Sequence, residues 1–455
     1  MKFATAAAVL AFATTEVAAF PSFATEYAEA VARAQSGKRS TLLQDRKVIE
    51  KRVSFDPASQ YVSTEGEHAF VPPNFEAGDV RGPCPGLNAA ANHGYIPHNG
   101  VGTIGDFTAG TNAAFGMSLD LGLFLGVYGS VFDGNLLGQF YPPHDYEYST
   151  NPHPAYSIGG PTSNNALPLS NVLGLTGQPQ GLSGSHNKYE SDTSPTRPDL
   201  YLAGQSYDLD LEQFEQYYNS IVEGVGADAQ YQALLDFRIS RFNHSITTNP
   251  YFFSSPFAGV LVSPAGYNFP VRMMSNKSAE FPEGSLSKEV FMSFFAVTFD
   301  KDGNFVYTKG HERIPDNWYK RAIGDEYTIP GFLTDVLDYA EQYPPLLDIG
   351  GNTGTPNSFT PVNLGSLTKG VFDAGTLLEG NNLECFVFQV AQAALPDVAG
   401  GTLTSLGNQN AIQPFSDTVA QRLLGLGCPQ LEGIDESTFD IYPGYTKCKQ
   451  GCSSY

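Results

Sequence analysis

RGPCPGLNAAANHGYIPHNG, residues 81–100, decides how the rest of this chain is read. Cys84 stands between Pro83 and Pro85, and a helix-compatible run begins directly after it. Pro85 suits a first helical position, where its missing N–H is no loss. Leu87 to Asn92 can continue the helix until His93-Gly94 ends it. The sulfur is therefore expected at a helix N-terminus, where unpaired N–H groups and the positive dipole end favour an anion. A cysteine so placed has a lowered pKa and forms a thiolate readily. Cys84 is a candidate metal ligand or nucleophile. A half-buried structural cysteine and one arm of a disulfide are the other readings, although four of the five cysteines lie far away, beyond residue 384.

The chain has 455 residues, enough for a large core or two domains. Residues 1–19 read as a secretory signal: a lysine, the apolar run from Phe3 to Phe12, then Val17-Ala18-Ala19 before the cut. Residues 20–52 are rich in Ala, Glu, Lys and Arg and end on the basic pair Lys51-Arg52, which reads as a pro-segment; an ordinary N-terminal helix is the other reading. Removing everything to Arg52 takes away eight basic and five acidic residues and moves the net charge from −22 to −25. So acidic a surface argues against nucleic acid and anionic membranes as partners. No later apolar run is long enough to span a bilayer. Aromatic residues make up 13%, with 32 Phe and 24 Tyr against 1 Trp, which suits an apolar core rather than disorder.

Residues 53–430 are expected to form one all-α domain with long loops, followed by a tail at 431–455. Val53 to Val80 is Pro-rich and reads as an extended arm leading into the cysteine loop. Leu119 to Leu137 is apolar, glycine-spaced and too long for a strand, so a buried helix is expected. Gln139 to Asn187 lacks periodicity and should be loop. Helical periodicity returns over Leu209 to Phe242, Glu283 to Asp300, Pro330 to Tyr343 and Glu384 to Leu395. The span Tyr251 to Met274 is apolar but broken by Pro256, Pro264 and Pro270.

A second cluster lies in HNKYESDTSPTRPD, residues 186–199. Its carboxylates, hydroxyls and turn carbonyls suit a hard cation, and helix capping is the competing reading. Together the two stretches resemble the proximal and downstream motifs of the fungal heme-thiolate peroxidases, the family of chloroperoxidase and the unspecific aromatic peroxygenases. The resemblance covers about Phe70 to Cys428. It implies a heme-thiolate peroxidase-like helical fold, heme b with Cys84 as axial ligand, and hydrogen peroxide and a small organic molecule as substrates. It also implies a Mg²⁺ beside a heme propionate, held by Glu190, the Ser191 carbonyl and Ser194. Ser191 occupies a position where the family carries Gly or His, a change that a carbonyl ligand survives. Arg197 and Asp199 match as an ion pair or as propionate contacts. Met117, Tyr189 and Phe269 correspond to the heme pocket, and Asp133-Gly134-Asn135 to the end of a family helix.

Peroxide cleavage also needs a positioned acid–base group. Long peroxygenases carry a glutamate about fifteen residues after an Asn-Pro element, with an arginine seven residues earlier. Asn249-Pro250 is present here, yet the arginine position falls on Ala258 or Gly259 and the glutamate position on Ala265 or Gly266. No charged residue or histidine occurs between Tyr251 and Val271. Asp192 is the substitute to consider, with His186, Glu280 and Glu283 behind it; capping is the competing role for Asp192. The resemblance further pairs Cys385 with Cys428, which leaves Cys448 with Cys452. Asn243 and Asn276 head glycosylation sequons. The expected protein is a secreted peroxidase or peroxygenase. The alternative is a heme-binding protein with lost or altered peroxide chemistry, a carrier or a biosynthetic catalyst.

Overall fold

A computed structural model describes residues 54–134, 155–160, 181–373, 375–377, 379–393, 428–429, 431 and 433–449. The signal and pro-segment, residues 1–52, lie outside the described residues. Helices of seven or more residues are α1 (Pro85–Asn92), α2 (Ile104–Phe115), α3 (Leu119–Phe132), α4 (Leu211–Ser220), α5 (Ala227–Ala233), α6 (Leu235–Thr248), α7 (Ser263–Phe269), α8 (Lys288–Phe294), α9 (Ile329–Gln342), α10 (Asn382–Ala393) and α11 (Pro443–Lys449). The fold is mostly helical rather than wholly so. Short antiparallel strands pair as β1 (Val101–Thr103) with β2 (Ala155–Ser157), and as β4 (Val297–Phe299) with β5 (Phe305–Tyr307). A third sheet has the order β3 (Phe253–Ser254), β6 (Gly350–Gly351), β7 (Thr360–Pro361).

α1 runs over the expected residues, with Cys84 at its N-cap and His93 at its C-cap. Gly94 then takes a φ of +68°, which turns the chain out of the helix at little cost. α2 starts on a capping box in which Thr103 and Asp106 bond reciprocally, and Gly116 ends it at φ +68°. α3 carries a glycine row, Gly122, Gly126 and Gly129. A Cβ on Gly126 would stand 3.3 Å from Ile104, and one on Gly129 2.9 Å from the Tyr156 ring. The row lets α3 lie directly on α2 and on β2, as its apolar, glycine-spaced composition suggests.

Two expectations fail for identifiable reasons. The helix foreseen over Glu283 to Asp300 stops at Phe294, and the chain continues as β4 into a hairpin closed by the Asp300 turn. Val297 is buried while Thr298 and Phe299 are exposed, and Val, Thr and Phe favour the pleated surface once a partner strand is available. The prolines at 264 and 270 do not break the chain either. Residues 258–274 form one continuous helical rod in which α7 is flanked by π-helical turns, Ala258–Val262 and Pro270–Met274. Each proline sits at the first or second position of its turn, so its absent N–H and its ring fall at a change of hydrogen-bond register.

Arg272 fixes that rod in the core. Its guanidinium donates to both Asp335 oxygens on α9 at 2.9 and 2.7 Å, and it pairs with Asp228 on α5 at 2.5 Å. Trp318, fully buried, donates Nε1 to the Met274 carbonyl at 2.9 Å. Residues 433–449 pack back on the body: Phe439, Tyr442 and Tyr445 surround Phe253. The Cys385–Cys428 disulfide is present. Cys452 lies outside the described residues, so the Cys448–Cys452 pairing does too. The Asn276 amide donates to the Asn317 carbonyl and accepts from the Tyr319 N–H. It is thus a structural tie at the place where a glycan was expected. Asn243 is half-buried on α6.

Removing one partner of a buried ion pair leaves an uncompensated charge. Asp335→Ala is therefore expected to lower stability by roughly 3–5 kcal/mol in urea unfolding. A loss below about 1 kcal/mol, the range of exposed pairs, would show that the pair does not anchor the rod.

Candidate active site

A cavity of about 240 Å³ opens beside the N-terminus of α1. Pro83 to Leu87 supply one part of its wall, and Leu261 to Phe269 of the helical rod another. Phe115, Leu121, Phe124, Leu125, Phe332 and Leu333 make most of the rest apolar. The fold brings Cys84, Met117, Tyr189, Glu190, Ser191, Ser194 and Phe269 onto this single cavity, although they span 185 positions in sequence.

The thiol at its wall does not behave as the isolated motif suggests. Burial pushes the Cys84 thiol up; the Leu87 and Gly86 amides and the Arg197 guanidinium pull down without overcoming it, and Glu312 adds to the rise. The helix N-terminus is present, but desolvation outweighs it. A raised thiol pKa favours the neutral form, and coordination to a metal is one way to remove the proton from such a thiol.

The second motif binds the first mechanically. Arg197 donates Nε and Nη2 to the Pro83 carbonyl at 3.2 and 3.1 Å, which ties it to the residue before the cysteine. It does not pair with Asp199, whose carboxylate is taken by Asn249 at 3.0 Å, by the Thr193 N–H at 3.2 Å and by Arg241 at 3.8 Å. Thr193 accommodates this turn at φ +68°. The Arg197 Nη1 is buried with no hydrogen-bond partner among the described residues. Glu190 accepts from His186 Nδ1 at 2.7 Å through Oε2, while its Oε1 is buried and unpartnered among the described residues. Burial alone would lower the His186 pKa, but Glu190, Asp192 and Asp199 carry it up to about 9. The Ser194 hydroxyl accepts from the Arg197 N–H at 3.2 Å.

Asp192 is not a cavity residue. Its Oδ1 accepts from the Leu200 N–H at 3.2 Å and its Oδ2 from Asn249 at 3.0 Å, the capping role that competes with catalysis in its sequence context. Burial holds its carboxyl well above the usual range, with Asp199 adding to the rise. His186, Glu280 and Glu283 do not line the cavity either; Glu280 is exposed. On the rod, Ala265 and Gly266 reach the cavity wall where a glutamate was looked for. A Cβ on Gly266 would lie 2.9 Å from the Pro195 ring, so the rod packs too closely there for a larger residue. The polar side chain the rod does offer is Ser263, whose hydroxyl lies 2.8 Å from that of Thr193.

An apolar cavity with one sulfur at a helix N-terminus fits heme. Its polar edge adds the unpartnered Arg197 Nη1 and Glu190 Oε1, suited to the two carboxylates of heme and to a counter-cation. No group of three His, Cys, Asp or Glu that could hold a metal ion on its own occurs among the described residues. A cation here would need ligands from outside those residue types. Sequence reasoning missed Tyr156, Arg197's grip on Pro83 and the role of Ser263, because each depends on partners between 33 and 114 positions away that only the fold brings near.

The profile of the family described as "Peroxidase, family 2" matches residues 68–323. This chain belongs to the heme-thiolate peroxidase family. It is 38% identical to "Aromatic peroxidase fscJ" of Fusarium equiseti over 95% of this chain and 94% of that protein. It is 39% identical to "Dothistromin biosynthesis peroxidase dotB" of Dothistroma septosporum, over 88% and 90% of the two chains. An aromatic peroxygenase of Coprinellus radians is 29% identical over 60% of this chain and 92% of its own. The chain is accordingly an enzyme of the peroxidase and peroxygenase class.

Three tyrosines, Tyr128, Tyr156 and Tyr189, form a ring-to-ring wall beside the cavity, with Tyr128 and Tyr189 at 5.1 Å. Asp133 lies buried next to them, 3.5 Å from Lys188. Burial raises its pKa from 3.8 to about 6, against the pull of Lys188. Between those values the folded protein keeps a proton that the unfolded chain has released, so stability falls as pH rises through that window. Asp133→Asn is expected to flatten the fall by about 2–3 kcal/mol at most. Urea unfolding at pH 4 and pH 7 measures it; an unchanged difference between the two pH values would refute the assignment.

Proposed function

We propose that this chain is a secreted heme-thiolate peroxidase or peroxygenase that uses hydrogen peroxide to oxidise or oxygenate a small apolar, aromatic or aliphatic molecule. The observation that carries the reading is the convergence of Cys84, Met117, Tyr189, Glu190, Ser194 and Phe269 on one apolar cavity. Cys84 is the axial ligand of heme b in this reading. Bound heme supplies the iron at which the peroxide O–O bond is cleaved, and a thiolate ligand favours that cleavage by donating electron density.

The residues of the chain have separate tasks. Arg197 holds the Pro83 carbonyl and offers its free Nη1 to a propionate. Glu190, the Ser191 carbonyl and Ser194 are the groups that would hold Mg²⁺ at the same edge, a role supported by the unpartnered Glu190 Oε1. Phe269, Phe332 and the leucines of α3 and α9 exclude water and select an uncharged substrate. Secretion is supported by the N-terminal apolar run and by the disulfide, a bond that persists in oxidising compartments. Among the described residues no helix is long and apolar enough to cross a membrane.

A second reading has its own observation. The rod presents Ala265, Gly266 and Ser263 to the cavity, with no charged side chain between Tyr251 and Val271. A heme protein with altered peroxide chemistry, serving as a biosynthetic catalyst, fits that surface, and one relative is named for a biosynthetic pathway.

Three measurements test these readings. Cys84→Ala should abolish the thiolate-type Soret band of the ferrous–CO complex; an unchanged band would sink the ligand assignment. A thiolate band in the wild type without peroxide-dependent turnover of a phenol or an aromatic C–H substrate would leave only the second reading. Glu190→Gln should lower bound magnesium from about one to near zero per chain by elemental analysis, and equal content in both proteins would remove Mg²⁺ from the proposal.

A further inference from the structure

The loop that carries Cys84 is braced from behind by a buried carboxylate that no ligand role explains. Asn88, one turn along α1, closes the loop upon itself. Its Oδ1 accepts from the Gly82 N–H at 3.0 Å, and its Nδ2 donates to the Gly82 carbonyl at 2.9 Å. One side chain thus spans residues 82–88, with the cysteine inside the span. From the other side the loop is wedged against Ile158, the residue after β2, since a Cβ on Gly82 would overlap the Ile158 carbonyl oxygen.

The Asn88 amide has a further partner: its Nδ2 donates to Glu312 Oε1 at 2.9 Å. Glu312 follows the β4–β5 hairpin and is 0% exposed. Its main-chain carbonyl accepts from Asn92 Nδ2 at 2.8 Å, and the Asn92 oxygen takes two bonds from Arg81, at 2.9 and 2.6 Å. α1 is therefore fastened at its middle and at its C-terminal end to the same short segment. The second Glu312 oxygen, Oε2, is buried without a hydrogen-bond partner among the described residues. A buried carboxyl in that state is costly beside an apolar residue of equal volume.

We propose that Glu312 is a positioning residue for the Cys84 sulfur: by accepting from Asn88 it holds the amide that shapes the 82–88 loop, and so aims the thiol into the cavity. The inference rests on the reading of Cys84 as the heme ligand. What matters is the acceptor oxygen at the end of a side chain of this length. Glutamine retains it, alanine removes it, and aspartate withdraws it by one methylene.

The test uses the heme-loaded protein, with Cys84→Ala as reference. Glu312→Gln should keep the ferrous–CO band at the thiolate position. Glu312→Ala should move at least half of it away while the circular dichroism is unchanged; if that variant is not recovered folded, Glu312→Asp is read the same way. A second readout needs no heme. Amide hydrogen exchange over residues 82–88 of the heme-free protein should quicken about tenfold in the Ala or Asp variant and remain at the wild-type rate in the Gln variant. A band that stays at the thiolate position with exchange unchanged in the Ala or Asp variant overturns the proposal. Equal loss in the Gln variant also overturns it, because charge rather than the acceptor would then matter. A wild type with no thiolate band would fail the Cys84 reading, and the exchange rates alone would then decide for or against Glu312.

Discussion

One sulfur, Cys84, set at a helix N-terminus on the wall of an apolar cavity is the constraint on which this structure turns. Water would stabilise a thiolate at Cys84, but it would also fill the space that an apolar substrate needs. Desolvation pushes the Cys84 thiol up and so favours its neutral form; in the proposed reading a heme iron would take the place of that proton. The helix N-terminus and Arg197 lessen the cost of that ionisation without removing it. Direction is then as important as charge. A half-ångström error at a metal ligand is felt directly, and supporting groups behind a ligand are what hold such positions. Asn88, Asn92, Arg81 and Glu312 form that support on one side, and Arg197 on the Pro83 carbonyl forms it on the other.

The facing wall is built on a different principle. The rod from Ala258 to Met274 has π turns at both ends of α7, and Arg272 locks it to α5 and α9. Extra residues in a helical turn re-aim the side chains beyond it, a device often found beside functional cavities. Here the re-aimed face carries Ala265, Gly266, Phe269 and the Ser263 hydroxyl. Close packing of Gly266 on Pro195 explains in steric terms why an acidic side chain has no room at that point. The two walls thus differ in character. One is a polar scaffold concealed behind a single sulfur; the other is an apolar surface with one hydroxyl.

Much of this was legible in residue order. Pro-Cys-Pro followed by Leu-Asn-Ala-Ala-Ala-Asn predicts the helix bounds to the residue, because proline, alanine and the His-Gly stop act locally. The glycine-spaced run of α3 was legible for the same reason. The Cys84 pKa was not, since a helix terminus is local but desolvation depends on every residue that closes the cavity. Asp192 shows the limit in another form. Its neighbours in sequence allow either a catalytic acid–base group or a cap, and only the Leu200 N–H and Asn249 amide reveal the cap. The second half of Glu283 to Asp300 became β4 because Phe305 to Tyr307 was there to pair with it.

The sequence by itself determined the local chemistry: a cysteine at a helix start, a turn dense in carboxylates and hydroxyls, an acidic and aromatic-rich chain, and a distal stretch without charge. Those properties follow from residue type and short-range backbone preference. Tertiary structure alone decided that seven scattered residues share one cavity, that desolvation pushes the Cys84 thiol up, that Arg197 grips Pro83 instead of Asp199, and that Glu312 stands behind the loop. Each of these depends on contacts across tens to hundreds of residues, where burial and the direction of a hydrogen bond are set by packing and not by neighbours in the chain.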